Sequence, residues 1–333
     1  MNRTACKRLQ QFLIDHGLER IFLYRPENFA WLTGGGDSTV VTGEGVGYLE
    51  VTPGAVRLHT SCVEAVRLAR EEKADFTSIT YQWYSSPPID HPNDLEHDLT
   101  ALRLVMSPDE QDRFRVLGRE AARALGDAMR TAAPGWSEAE LAGEIARAMY
   151  RNRIQPIVLL VAGEERIREY RHPLPKHNRL GRLAMGVVCG RRDGLVINLT
   201  RMRAWDSTDI LTQYELLLQV EKRALSATVP GATVGDVMAV IADGYREIGY
   251  PDAFFGHHQG GIAGYRPREI LGKPGDETTL AEGMCVAWNP SLPGVKVEDT
   301  FLITSTGLEN LTLDPDWPMV EIDGQLRPGI LVE

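Results

Sequence analysis

One pattern occurs twice in this chain and restricts its fold more than any other feature. Ala133-Pro134-Gly135-Trp136-Ser137 closes a long alanine-rich helical stretch and opens a second helix, with Glu140 three residues after Ser137. Ninety-six residues later Val229-Pro230-Gly231-Ala232-Thr233 does the same, with Asp236 in the place of Glu140. In each copy a hydroxyl can cap the first turn while the acid reaches back to the cap's own N–H. Ser107-Pro108-Asp109-Glu110 uses the same device upstream, predicting a helix to about Thr131. A unit of helix, Pro-Gly turn, capped helix and strands, used twice, can pack its sheets together around a cavity.

The strands of these units carry polar residues. Gly186–Gly190 and Gly194–Met202 read as a pair around Arg191-Arg192-Asp193, and Met284–Asn289 and Val295–Thr304 as another around Pro290–Gly294. The first hundred residues differ. An amphipathic helix over Asn2–Leu18 leads to a strand at Arg20–Tyr24 and the turn-rich Arg25-Pro26-Glu27-Asn28. Val46–Val51 and Ala55–Thr60 read as a hairpin, Val63–Glu72 as a helix and Phe76–Trp83 as a strand, before a connection over Ser85–Asn93. The expected organisation is a small α/β domain, residues 1–105, followed by a second domain, residues 106–333.

The 333 residues carry a formal net charge of -10 and no basic run, which argues against nucleic acid or an anionic membrane as partner. No apolar stretch is long enough to span a bilayer, and the N-terminal helix is charged throughout, unlike a signal peptide. Cys6, Cys62, Cys189 and Cys285 are widely spaced and form no metal-binding pair. A cytoplasmic protein is expected. Only six of the 36 basic residues are lysines, one of them Lys296.

The chemistry concentrates in Phe255 to Glu269, where His257 and His258 precede Gly260-Gly261 and are followed by Tyr265, Arg266 and Arg268. Glycines there let backbone approach closely, and imidazoles titrate near neutrality.

Five segments, in order, then carry a resemblance: Pro26 to Gly34, Leu102 to Arg115, Tyr170-Arg171-His172-Pro173, Asn198-Leu199-Thr200-Arg201, and Glu298-Asp299-Thr300. Together they resemble the creatinase, aminopeptidase P and methionine aminopeptidase family over nearly the whole chain. The resemblance implies an α+β fold: a C-terminal pita-bread domain with a pseudo-two-fold repeat, preceded by a small α/β domain. It also implies a homodimer.

The family's metallopeptidases hold two metal ions with two aspartates, a histidine and two glutamates. Carried over position by position, the first aspartate falls at Val187 to Cys189, the second at Asn198, the histidine at Gly261 and the first glutamate at Asn289. Only Glu298 is kept. One carboxylate cannot offset the repulsion between two divalent ions, so neither a dinuclear centre nor any other cofactor is expected. A shifted single-ion site on His172, His257, His258 and Glu298 is the alternative.

Creatinase shows that this fold can work without metal through histidine. By that resemblance His172 is the expected general base, with His257, His258 and Glu298 beside it, and the reaction C–N hydrolysis of a small amino-acid-like or amide substrate. Asn198, Asn289, Arg201, Tyr265 and Arg268 are the expected substrate contacts. Arg201 has the alternative of an ion pair with Asp299. A specialised bacterial pathway fits so diverged a site. The other expectations carried forward are lyase, cyclase or isomerase chemistry, a non-catalytic scaffold, and a conventional Xaa-Pro metallopeptidase.

Overall fold

The computed structural model describes residues 1–333 apart from 42, 86, 206–208 and 323. The connection expected at Ser85–Asn93 lies partly outside the described residues. The chain divides into two compact units: Met1–Leu104 with Arg192–Leu195, and Val105–Arg191 with Val196–Glu333.

In the first unit α1 (Arg3–Asp15), capped by Asn2, precedes β1 (Ile21–Leu23), α2 (Pro26–Thr33), β2 (Gly47–Val51), β3 (Val56–Ser61), α3 (Ala65–Arg70) and β4 (Thr77–Tyr81). The strands form one sheet in the order β1-β2-β3-β4. The hairpin β2–β3 is antiparallel, with Val51 opposite Val56. Residues 25–28 are not an open turn, as their composition suggested. Pro26 sits in the first turn of α2, where its missing N–H costs nothing, and Gly34 ends that helix at φ 79°. A short helix, α4 (Thr100–Arg103), ends the unit.

The second unit begins with α5 (Pro108–Thr131) and α6 (Glu138–Arg151). Phe114, Leu117, Ala121, Leu125 and Ala128 give α5 its buried stripe at helical spacing. β5 (Gln155–Gly163), a turn of helix α7 (Arg166–Glu169), β6 (Leu183–Arg192) and β7 (Leu195–Ala204) follow. The second half then offers α8 (Asp209–Ala227), α9 (Val234–Glu247), β8 (Gly260–Ala263), β9 (Ile270–Leu271), β10 (Cys285–Trp288), β11 (Ser291–Leu292), β12 (Val295–Lys296), β13 (Phe301–Thr304) and β14 (Gly307–Asn310). β15 (Met319–Ile322), β16 (Gln325–Pro328) and β17 (Leu331–Val332) close the chain, β17 running parallel to β7. The two large sheets read β17-β7-β6-β5 and β14-β13-β10-β8-β9.

The repeat is visible in the backbone. Glu138 N donates to Asn178 O at 2.9 Å, and Val234 N donates to Thr278 O at 2.9 Å. Leu180 N donates to Trp136 O and Leu280 N to Ala232 O, both at 2.8 Å. Both capping boxes form: the Ser137 hydroxyl accepts from Glu140 N and the Thr233 hydroxyl from Asp236 N. The halves join where Thr200 N donates to Glu298 O and Asn198 N to the Thr300 hydroxyl, each at 2.9 Å.

One expected strand is broken. Val295–Thr304 is not continuous: β12 stops at Lys296 and β13 starts at Phe301. Val297 N turns back to Pro290 O at 3.2 Å, and Thr300 N to the Thr312 hydroxyl at 3.2 Å. The interruption leaves the side chains of Glu298 and Asp299 free to serve different neighbours.

Candidate active site

A cavity of the second unit that gathers the histidines has a volume of about 280 Å³. Val187 and Cys189 on β6 and Val158 and Leu160 on β5 make its apolar wall. Its polar wall is built by Arg268 from the loop between β8 and β9, Asn289 just after β10, and Lys296 and Glu298 around the end of β12. His172 and His258 complete the lining.

Two glycines fix the backbone that presents the imidazoles. A Cβ on Gly260 (φ 105°) would lie 2.1 Å from Ala287 O, and one on Gly261 (φ 152°) 2.0 Å from Ile270 O. No side chain, least of all the family's histidine, fits at 261 in this backbone. His257 and His258 come just before this turn, their rings stacked at 4.3 Å between centroids. The buried Gln259 amide donates to His257 O at 2.6 Å and its oxygen lies 3.1 Å from the Tyr245 hydroxyl, which holds the segment in place. Nε2 of His257 and Nε2 of His172 are 3.0 Å apart, so one ring donates and the other accepts. His172 stands exposed at the mouth, while His257 is buried.

All three imidazoles are held neutral. Burial lowers His258 to about 4, with Arg268 and Lys296 adding to it. Burial, Lys296 and the neighbouring rings drive His257 far below its ordinary value. His172 is lowered by desolvation and by Lys296 and Arg268, against the pull of Glu298. The Cys189 thiol is raised to about 12 by burial, which rules against a thiolate nucleophile.

Glu298 is fully engaged. Arg268 donates to its Oε1 at 2.7 Å, the Thr200 hydroxyl to its Oε2 at 3.1 Å, and Lys296 Nζ lies 3.8 Å from Oε2. Burial alone would raise its pKa, but Lys296 and Arg268 outweigh that and hold it below the usual carboxylate value. Lys296 is 4% exposed, and burial lowers its pKa against the opposing charge of Glu298.

A dinuclear metal centre does not fit these residues. Where the resemblance places four of the family's five ligands stand Val187 to Cys189, Asn198, Gly261 and Asn289, and the fifth, Glu298, is already bonded to a cation. The ligating nitrogens of His172, His257 and His258 all lie within 4.8 Å of one another, a spacing that one ion could use. Arg268 and Lys296 line the same cavity and oppose a further positive charge there.

Of the residues singled out in the sequence, His172, His258, Arg268, Asn289 and Glu298 share the cavity, and His257 joins it through His172. Three do not line it. Asn198 is buried, its Nδ2 3.4 Å from Val196 O. Arg201 is no clamp for substrate: it is buried on Asp299 at 3.0 Å and also bonds the carbonyl of Thr312. Tyr265 is buried with its hydroxyl donating to Glu110 at 2.6 Å, a tether onto α5 and not a substrate contact. The residue that reading the sequence missed is Lys296. Its rarity among arginines and its place two residues before Glu298 were the available signals.

Residues 112–305 match the model of metallopeptidase family M24. Over 107 residues the chain is 37% identical to an Xaa-Pro dipeptidase of Pyrococcus furiosus, a segment that is 30% of each protein. It is 27% identical over 280 residues to a putative dipeptidase of Bacillus subtilis, 78% of this chain and 72% of that one. A prolidase structure from Thermococcus sibiricus superposes with a TM-score of 0.81 at 17% identity over the full length of both chains. The fold is thus the α+β pita-bread architecture of the prolidases and aminopeptidases P. With more than half its length matched, the chain belongs to the metallopeptidase family M24.

Proposed function

We propose that the chain is a hydrolase that cleaves an amide C–N bond in a small dipeptide-like or amino-acid-like substrate, using imidazoles and fixed cations in place of paired metal ions. The observation that carries this reading is the state of Glu298, which is paired with Arg268 and faced by Lys296. The names of the relatives, an Xaa-Pro dipeptidase and a putative dipeptidase, favour a dipeptide over a creatine-like substrate.

In this mechanism neutral His172 takes the proton of a water whose oxygen adds to the substrate carbonyl carbon. The proton then passes to the amine nitrogen as the C–N bond breaks, leaving one acid and one amine. His257, 3.0 Å from His172, orients the base through its neutral ring nitrogen and accepts a hydrogen bond from it while it is protonated. The Asn289 amide, with its oxygen unbonded inside the protein, hydrogen-bonds the substrate. Homodimeric assembly and a place in specialised metabolism belong to the same proposal.

A second reading, a conventional Xaa-Pro metallopeptidase, is favoured by the relatives' names, and the three clustered imidazoles offer a shifted single-ion site as its variant. Assay of purified protein against a panel of Xaa-Pro and other dipeptides, with and without a strong chelator, separates the two. Turnover that survives the chelator is expected. Turnover that vanishes with it and returns with manganese, cobalt or zinc establishes the second reading. No turnover of any amide, with intact ligand binding, points to a scaffold.

A further inference from the structure

The cavity lining holds two cations and one carboxylate among the described residues. Lys296 and Arg268 both stand against the single carboxylate of Glu298, at 3.8 and 2.7 Å, in a largely buried space. A buried charge is costly unless it is fully paired, and an incoming anion relieves that cost. Arg268 also keeps an unspent donor: its Nε is buried and bonded to nothing in the protein, while its terminal nitrogen holds Glu298.

We propose that Lys296 and Arg268 form a fixed-charge anion site at the polar wall of the cavity, which takes the carboxylate of a small organic ligand. The inference rests on the metal-free reading of the site and adds the class of group it binds. Lys296 and Arg268 occupy the region where the family's cations would sit, since both contact Glu298, the one ligand position retained. Side-chain cations replace metal ions as the source of positive potential. A guanidinium offers a planar donor edge suited to a carboxylate, and a lysine offers a point charge beside it. The volume of about 280 Å³ admits an amino acid or a small dipeptide. Glu298 both orients the two cations and competes with the ligand for them.

The test is binding, not turnover, so it stands apart from any failure to find a hydrolysed substrate. Full-length protein is titrated at low ionic strength with acetate and with its neutral isostere acetamide, followed by ligand-detected NMR and calorimetry. Acetate is expected to saturate one site and acetamide to bind at least ~10-fold more weakly, as loss of a charged hydrogen bond implies. Lys296→Met and Arg268→Gln are each expected to weaken acetate by at least ~10-fold. Glu298→Gln is expected to tighten it, because the competing carboxylate is gone. That variant and the isostere comparison keep the proposal open to refutation if Lys296→Met does not fold. Equal binding of acetate and acetamide, or acetate binding unchanged or weakened in Glu298→Gln, overturns the anion site. Stoichiometric uptake of zinc or manganese that is lost in Glu298→Gln overturns it together with the metal-free reading.

Discussion

Glu298 keeps the family's carboxylate yet spends both oxygens on Arg268, Thr200 and Lys296. The same two cations set the protonation of the imidazoles opposite them. A base works in its neutral form, so activity is lost as pH falls through the lowered pKa of His172. The acid limb of kcat/KM is therefore expected below the ordinary imidazole value of about 6.5. Lys296→Met should move that limb to higher pH, since it removes a charge that lowers His172. His172→Ala should cut kcat by about 100- to 10,000-fold with the circular-dichroism spectrum unchanged. A limb at or above the ordinary value would count against His172 as the base. At this scale the resemblance pointed to His172 and Glu298, and the histidine pair beside the glycines to His257 and His258. Lys296 was not legible, because what makes a lysine functional is burial against one carboxylate, and burial is a property of the folded chain. Arg201 illustrates the converse: its partner Asp299 stands 98 residues away and was foreseen only as an alternative.

Helices and turns were the most legible elements. The capping boxes at Ser107, Ser137 and Thr233 are local chemistry, and all three form. Because the last two occupy equivalent places in the repeat, Ser137→Ala and Thr233→Ala should each cost about 1 kcal/mol in urea denaturation. A cost at one site and none at the other would deny the equivalence of the halves. The strands were read less well. Val295–Thr304 is apolar enough to pass for one strand, but Val297 and Thr300 find hydrogen-bond partners outside it. Pattern registers burial and cannot see where a backbone N–H goes. Pro26–Thr33 failed in the other direction, since a proline that begins a helix has the same local composition as one that begins a turn.

At the scale of the molecule, no helix among the described residues is long and apolar enough to cross a membrane. The candidate active-site cavity of the second unit draws on both similar halves, with β5 and β6 giving the apolar wall and the segments around β8, β10 and β12 the charged one. Family membership and fold speak for a peptidase scaffold; the metal-free proposal rests on the side chains that stand where the resemblance places four of the family's ligands. Elemental analysis of active protein, purified without chelator and then equilibrated with manganese, cobalt and zinc, decides between them. The account predicts no stoichiometric divalent metal and no gain in activity on adding any of the three. Two ions per chain at full occupancy, with activity that tracks their removal and return, would contradict it.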